Sequence, residues 1–192
     1  MKIDRSVIIS FILLVLIASL YRVMPGRPFG FAPQIAMAIF GGSIISDKKY
    51  SFLLPLGSLL ISDIIYQVLY KYGLTSIQGF YDGQWVNYLL FAGITVIGFF
   101  IKKNKVSSIF SGALIGATTY FILSNFIDWA AGGSDINNQP YPKTFAGLET
   151  CYGAAIPFYE WSLVATVLFS GIFFGVYYLV TRNSLQNKKA IA

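Results

Sequence analysis

Six long apolar runs limit what this chain can fold into. A helix crosses the hydrocarbon layer of a membrane in about 20 residues, whereas a membrane β-barrel shows alternating segments of about ten residues. These runs are continuous, and only 11% of the 192 residues are charged, against about 25% in soluble domains. The sequence therefore predicts an all-α polytopic membrane protein, a bundle of six transmembrane helices at Ser6–Tyr21, Phe31–Ser46, Phe52–Tyr70, Trp85–Ile101, Val106–Trp129 and Ile156–Val180.

No internal repeat or low-complexity tract divides the chain. We expect a single six-helix domain over residues 1–182 and a short polar cytoplasmic tail over residues 183–192. The first run could instead be a signal peptide, because Lys2 and Arg5 precede its apolar core. The residues around Ser19 are a weak cleavage site, however, and favour a retained helix.

Basic residues divide unevenly between the two sides of the predicted bundle. Cytoplasmic loops of membrane proteins carry the excess of lysine and arginine. With six crossings and a cytoplasmic N-terminus, ten basic residues lie inside and four outside, so we expect both termini in the cytoplasm. The ten are Lys2, Arg5, Lys48, Lys49, Lys102, Lys103, Lys105, Arg182, Lys188 and Lys189, and the four are Arg22, Arg27, Lys71 and Lys143.

The predicted outer connections are the longer ones, at Arg22–Gly30, Lys71–Gln84 and Ala130–Ala155. Long loops in compact proteins are usually functional or disordered, and these contain too many aromatic residues for disorder. The outer face is therefore where we expect the protein to meet a ligand or a partner.

The residue types present exclude several kinds of chemistry. The chain has no histidine, which removes the commonest general base and the commonest metal ligand. Its single cysteine, Cys151, therefore has no histidine to activate it as a nucleophile. We therefore expect no enzymatic activity, no bound metal and no cofactor. The net charge of +6 is typical of basic cytoplasmic loops and does not indicate nucleic-acid binding.

Polar residues within two of the apolar runs are candidates for a binding site, because charges there are costly and usually functional. Asp63, Tyr66 and Gln67 share one face of the third predicted helix, and Asn125, Asp128 and Trp129 share one face of the fifth. We expect the two faces to converge on a cavity. The alternative for Asp63 is a structural hydrogen-bond network between helices, and for Trp129 a place in the aromatic belt.

The segment Tyr141–Tyr159 mixes prolines, glycines and aromatic residues, and we interpret it as a lid over that cavity. Proline is favoured at the first turn of a helix, so Pro157 predicts the start of the sixth helix. Cys151 fits either a small apolar core position, the commonest place for a free cysteine, or a contact with the ligand. The candidate binding residues of this segment are Tyr141, Thr144, Cys151 and Tyr152.

The order of these residues resembles an uncharacterised family of bacterial membrane proteins. The matching stretches are "FAPQIAMAIFGG" at Phe31–Gly42, "PLGSLLISD" at Pro55–Asp63, and "NFIDW" followed by "YPKTFAGLETCYGAAIPFY" from Asn125 onward. That family is similar to the S components, the substrate-capture subunits of energy-coupling-factor (ECF) transporters. The positions that carry the resemblance are Asn125, Trp129, Tyr141, Pro142, Thr144, Gly147, Leu148, Cys151, Tyr152 and Pro157.

The resemblance implies an S-component-like protein of the bacterial cytoplasmic (inner) membrane, crossing it several times. It would bind a vitamin-like small molecule at its outer face for uptake, working with membrane lipid and either an ECF-type energising module or no module at all. Many S components dock that module through an Ala-xxx-Ala pattern in the first helix, which is not present here. The alternative is a structural or assembly subunit of a larger membrane complex.

Overall fold

The computed structural model describes the backbone of residues 5–191 and the side chains of residues 9–182. Helices build this part of the chain, which confirms the all-α prediction, and each of the six apolar runs forms one. The helices are α1 (Arg5–Val23), α2 (Gln34–Ile44), α3 (Lys48–Ser51), α4 (Leu53–Lys71), α5 (Trp85–Gly98), α6 (Val106–Ala131) and α7 (Phe145–Ile191).

Three stretches of described helix are long and apolar enough to cross a membrane: Lys48–Lys71, Val106–Ala131 and Phe145–Arg182. The apolar helices Ile9–Val23, Gln34–Ile44 and Trp85–Gly98 are shorter. By length and composition, the described residues therefore contain three helices that could cross a membrane. Residues 183–191 continue α7 as helix, so the predicted tail begins within a helix and not in a loop.

The shortest of the apolar helices, α2, lies at the centre of the bundle. It has 11 residues, of which all but Ser43 are buried, and it contacts α4, α5, α6 and α7. At about 1.5 Å per residue it is about 16 Å long. A helix covered on almost every side has no polar face, which explains why "QIAMAIFGGSI" is apolar after its first residue except at Ser43, the one position that is not buried.

Glycines allow α2 and α5 to approach each other closely. A side chain at Gly42 would overlap the Thr95 carbonyl oxygen, and a Cβ at Gly98 would lie 2.6 Å from the Ile39 carbonyl oxygen. Both neighbours are backbone atoms, which cannot turn aside as a flexible side chain does. The apolar core around this contact includes Met37, Ile39 and Ile94, each at most 2% exposed.

The structure corrects the prediction for the lid segment. Helix α7 begins at Phe145 and contains Pro157, so Phe145–Ala155 is helical and Pro157 does not start a helix. Only residues 132–144 lie between α6 and α7. The prediction missed a helical repeat in this segment. Leu148, Cys151, Tyr152 and Ala155 recur at helical spacing and are buried or half-buried, whereas the residues between them are exposed.

Three connections, residues 24–33, 72–84 and 132–144, lie at one end of the bundle, here called the long-loop end. At this end α6 stops at Gly132, whose φ of 92° is in the left-handed region that favours glycine. The Gly133 N–H donates to the Asp128 carbonyl oxygen at 2.8 Å, and the Gly132 N–H donates to that of Trp129 at 3.2 Å. This C-terminal cap explains the sequence "AAGG" at the end of α6.

We predict that Gly42→Ala lowers the free energy of unfolding by about 1–3 kcal/mol, because the added methyl group must push α2 and α5 apart. Gly93→Ala is the matched control, since a Cβ at Gly93 meets no described atom within 4 Å. Alanine there should be neutral or stabilising by up to about 1 kcal/mol. Reversible unfolding in mixed micelles measures both, and equal stability of the two variants would contradict the close packing.

Candidate functional site

A cavity of about 300 Å³ lies at the long-loop end, walled by residues from α1, α2, α4, α5, α6 and α7 and from two of the three loops. The cavity lies where the central helix α2 begins, because Gln34 and Ile35 form part of the cavity wall. Its polar side chains include Arg22, Arg27, Gln34, Asp63, Gln84 and Asn87. Its aromatic side chains are Tyr81, Phe91, Tyr120, Phe121, Phe158 and Tyr159.

A buried ion pair forms one side of the cavity. Arg22 Nη1 lies 2.5 Å from Asp63 Oδ1, and the side chains are 26% and 4% exposed. The same Nη1 donates to the Ser62 hydroxyl at 2.6 Å, and the Arg22 carbonyl oxygen accepts from Tyr66 Oη at 2.7 Å. Arg22 therefore joins the end of α1 to three successive polar positions of α4.

The other carboxylate oxygen of Asp63 is also occupied. Asp63 Oδ2 accepts from Gln84 Nε2 at 2.6 Å and from Tyr88 Oη at 2.7 Å. Asp63 is thus bound from α1, from the 72–84 loop and from α5. A buried carboxylate needs this degree of satisfaction, because an unpaired charge in a low-dielectric site is strongly destabilising.

Gln34, the first residue of α2, is 2% exposed. Its Nε2 donates to the Ala18 carbonyl oxygen at 3.3 Å and to Ser58 Oγ at 3.1 Å. Because a backbone carbonyl can only accept, these contacts settle which end of the amide is nitrogen. Gln34 Oε1 is buried and has no hydrogen-bond partner among the described residues. Because Gln34 lines the cavity, this unpaired acceptor lies in the cavity wall or directly behind it.

Arg27 is the second guanidinium at the cavity. Its Nε donates to the Arg22 carbonyl oxygen at 3.2 Å, and its Nη1 donates to those of Pro28 at 3.1 Å and Phe31 at 2.7 Å. It makes no ion pair with any carboxylate of the described residues. The backbone of the 24–33 loop therefore positions this charge without neutralising it.

A hydrogen-bonded chain of three lining side chains forms another part of the wall. Tyr120 Oη donates to Asn87 Oδ1 at 2.9 Å, and Asn87 Nδ2 donates to Tyr81 Oη at 2.6 Å. Burial, and then the nearby Asp63 carboxylate, raises the pKa of Tyr81. Its phenol therefore stays neutral at physiological pH. Phe121 and Tyr159 stack beside this chain with ring centroids 4.5 Å apart.

Of the ten residues that the sequence proposed for the site, Asp63 and Asn125 line this cavity. The third and fifth apolar helices thus each contribute one of the predicted residues to the cavity wall, whereas the rest of the two predicted faces does not line it. Tyr66 and Gln67 lie beside the cavity: Tyr66 bonds to Arg22, and Gln67 Oε1 accepts from the Gly79 and Phe80 N–H groups at 3.2 and 3.1 Å. These two side chains of α4 therefore attach α1 and the 72–84 loop to the bundle.

Three more predicted residues hold the start of the 132–144 loop and of α7. Trp129 Nε1 donates to the Pro142 carbonyl oxygen at 2.9 Å, and Lys143 Nζ donates to the Trp129 carbonyl oxygen. The Tyr141 N–H donates to the Gly133 carbonyl oxygen at 3.0 Å. Thr144 Oγ1 accepts from the Gly147 N–H at 3.2 Å and so caps α7.

Of the remaining three, Cys151 and Tyr152 pack at the contact between α6 and α7, and Asp128 lies near the end of α6. Tyr152 Oη donates to the Ile122 carbonyl oxygen at 2.7 Å. The buried Cys151 thiol donates to the Asn125 carbonyl oxygen at 3.5 Å. The Asp128 carboxylate lies against Gly133. None of these six residues is among the described residues that line the cavity. Cys151 therefore occupies a small buried position, the first of the two interpretations given for it above.

The sequence did not single out Arg22, Arg27, Gln34, Gln84 or Asn87. Arg22 and Arg27 were counted only as loop charges, although a buried Asp63 requires a donor and Arg22 is within reach at the end of α1. Gln34 could have been identified from the sequence, because it is the one strongly polar residue in the second apolar run. Gln84 and Asn87 lie at a loop–helix boundary, where no periodic pattern distinguishes them. Within the described residues, no group of three or more Cys, Asp or Glu side chains could hold a metal ion.

Fold and site together define a helical bundle with helices long and apolar enough to cross a membrane and with a polar, aromatic-walled cavity at one end. Residues 2–189 match the family described as "Family of unknown function (DUF6580)", and the chain belongs to that family. No curated protein and no solved structure matches the chain.

We predict strong coupling between Arg22 and Asp63. Arg22→Met and Asp63→Asn should each lower the free energy of unfolding by about 3 kcal/mol, because each leaves a buried group without its charged partner. The double variant should be more stable than the sum of the single effects implies, by about 1–3 kcal/mol. The same unfolding measurement on the four proteins of the cycle gives the coupling.

The exposed ion pair between Lys49 and Asp47 is the control for this cycle. Its atoms are 3.6 Å apart and its side chains are 69% and 52% exposed, so Lys49→Met should change stability by less than about 1 kcal/mol. Strictly additive effects of the Arg22 and Asp63 substitutions would show that the pair does not organise the site.

Proposed function

We propose that this protein binds a small molecule in the cavity at the long-loop end and takes part in its uptake across the bacterial cytoplasmic membrane. The cavity is the observation that carries the proposal. Its volume of about 300 Å³ is at the lower end of the range of small-molecule sites. It also combines an aromatic wall with a few placed polar groups, as such sites do. The proposal includes no catalytic step.

The proposed topology has six crossings, with the long-loop end on the outer side and both termini in the cytoplasm. The uneven distribution of basic residues supports this orientation. At about 16 Å, α2 is too short to cross alone. It is covered by protein, however, so α2 can be shorter than the hydrocarbon layer without exposing its backbone ends to lipid. Exposed apolar side chains on α1, such as Ile12, Leu13 and Ile17, would face the lipid.

In this proposal the chain works as a substrate-capture subunit similar to the S components, or as a solitary transporter. The sequence resemblance supports the first form. A structural subunit of a larger complex would place partner protein against the outer loops instead, with no need for a retained ligand. Retention of a small molecule by the purified protein therefore separates uptake from assembly.

The test is native mass spectrometry of the full chain, purified in detergent from its host membrane. Ala155 lines the cavity, and its neighbour Ala154 is exposed. We expect the wild-type protein and Ala154→Phe to retain a small molecule, and Ala155→Phe to lose it by at least about tenfold, because the ring fills the cavity. Unfolding temperatures of both variants show whether the bundle is intact.

Equal retention by the two phenylalanine variants would place the bound molecule elsewhere. A wild-type protein that carries no small molecule but copurifies with a fixed set of membrane proteins would favour the assembly subunit.

The orientation has its own test. A reporter enzyme that is active only outside the cytoplasm should give no activity when fused after Ala192. The same reporter inserted after Asn138, within the 132–144 loop, should be active, because that loop belongs to the outer face. Activity of the C-terminal fusion would require an odd number of crossings or the opposite orientation.

A further inference from the structure

The charges around the cavity do not cancel. Two guanidinium groups, Arg22 and Arg27, and a single carboxylate, Asp63, are found among the described residues that line it. Arginine stays protonated at any physiological pH. Asp63 is paired with Arg22 and also accepts from Gln84 and Tyr88, and among the described residues it makes no ion pair with Arg27. The lining therefore carries one positive charge that the described part of the chain does not neutralise.

The unneutralised charge retains free donors. Arg27 uses Nε and Nη1 on three backbone carbonyl oxygens, and a guanidinium has five N–H groups. The remaining nitrogen, Nη2, makes no hydrogen bond to any described residue. Carbonyl oxygens orient a guanidinium but leave its full charge in place. The geometry is that of a positioned cation that lacks its anion.

A second observation concerns a different atom. Gln34 Oε1 is buried without a partner, in a side chain that is 2% exposed and lines the same cavity. Leaving a buried acceptor unsatisfied costs about 1–3 kcal/mol. A ligand that offers an N–H or O–H group removes this cost when it binds.

We propose that the ligand is a small organic carboxylate with an apolar or aromatic body and at least one N–H or O–H donor. This inference rests on the proposed function and names its substrate class. One uncompensated positive charge matches one carboxylate better than a doubly charged phosphate. The aromatic wall supplies flat contacts for the body of the ligand, and Gln34 Oε1 accepts from its donor.

Matched probes separate charge from shape. 4-Aminobenzoate and its amide, 4-aminobenzamide, differ in charge, while 4-methylbenzoate keeps the charge and lacks the donor. We measure the dissociation constant of each probe at millimolar concentrations from the rise in unfolding temperature of the full chain. Wild type should bind the aminobenzoate about tenfold more tightly than the amide, as a charge-assisted hydrogen bond implies, and also more tightly than 4-methylbenzoate.

Variants then assign the two preferences to residues. Arg27→Gln should abolish the preference for acid over amide, and Arg27→Lys should keep most of it. Gln34→Met should abolish the preference for the amino over the methyl compound and leave the acid preference in place. Each readout is a ratio of two constants on one variant, so a loss of stability does not imitate the result. Unchanged ratios in Arg27→Gln and Gln34→Met would overturn the assignment.

The molecule retained in native mass spectrometry gives an independent result. An organic acid supports the inference, and a neutral or cationic molecule overturns it. If such a neutral or cationic molecule is lost from Ala155→Phe, the proposed function stands while the inference falls. If nothing is retained and the wild-type protein binds neither acid nor amide, both fall.

Discussion

The buried charge of Asp63 is the constraint on which this end of the molecule depends. A carboxylate that is 3% exposed must be paired, because its desolvation costs several kcal/mol. Its partners come from three separate parts of the chain: Arg22 at the end of α1, Gln84 in the 72–84 loop and Tyr88 in α5. Satisfying one side chain therefore fixes two helices and a loop relative to α4. In an apolar environment, where packing against lipid does little to distinguish one helix arrangement from another, such a junction specifies the bundle.

The cavity follows from the length and position of α2. Four helices pack around this 11-residue element, and they extend beyond Gln34, where it begins. The space above Gln34 has walls but no central helix to fill it. The Arg22–Asp63 pair and the hydrogen-bonded Tyr120–Asn87–Tyr81 chain form part of these walls.

The helices were predictable because periodic apolar runs reflect burial and lipid contact directly. Their lengths were not: α2 was expected over 16 residues from Phe31 to Ser46, and only its 11 central residues are helical. For the site, the stripe of Asp63, Tyr66 and Gln67 could be read from one helix alone, but its partners Arg22 and Gln84 depend on how distant elements meet. Pro157 misled the interpretation of residues 145–155, because proline is favoured at helix starts yet is tolerated inside a helix where neighbouring helices support it.

The three loops at the long-loop end differ in what they can do for the cavity. The 132–144 loop closes on itself, with Asp135 Oδ1 accepting from the Asn137 and Gln139 N–H groups, both at 2.9 Å. These backbone hydrogen bonds, the Gln139 one first, hold the pKa of Asp135 below its usual value. Its side chains lie outside the cavity wall, whereas the 24–33 and 72–84 loops supply Arg27, Tyr81 and Gln84. The 72–84 loop is tied to Gln67 and to Asp63, so its position depends on the same carboxylate that neutralises Arg22. Movement of the 24–33 or 72–84 loop would therefore change the cavity wall itself, and movement of the 72–84 loop would also disturb the hydrogen bond from Gln84 to Asp63.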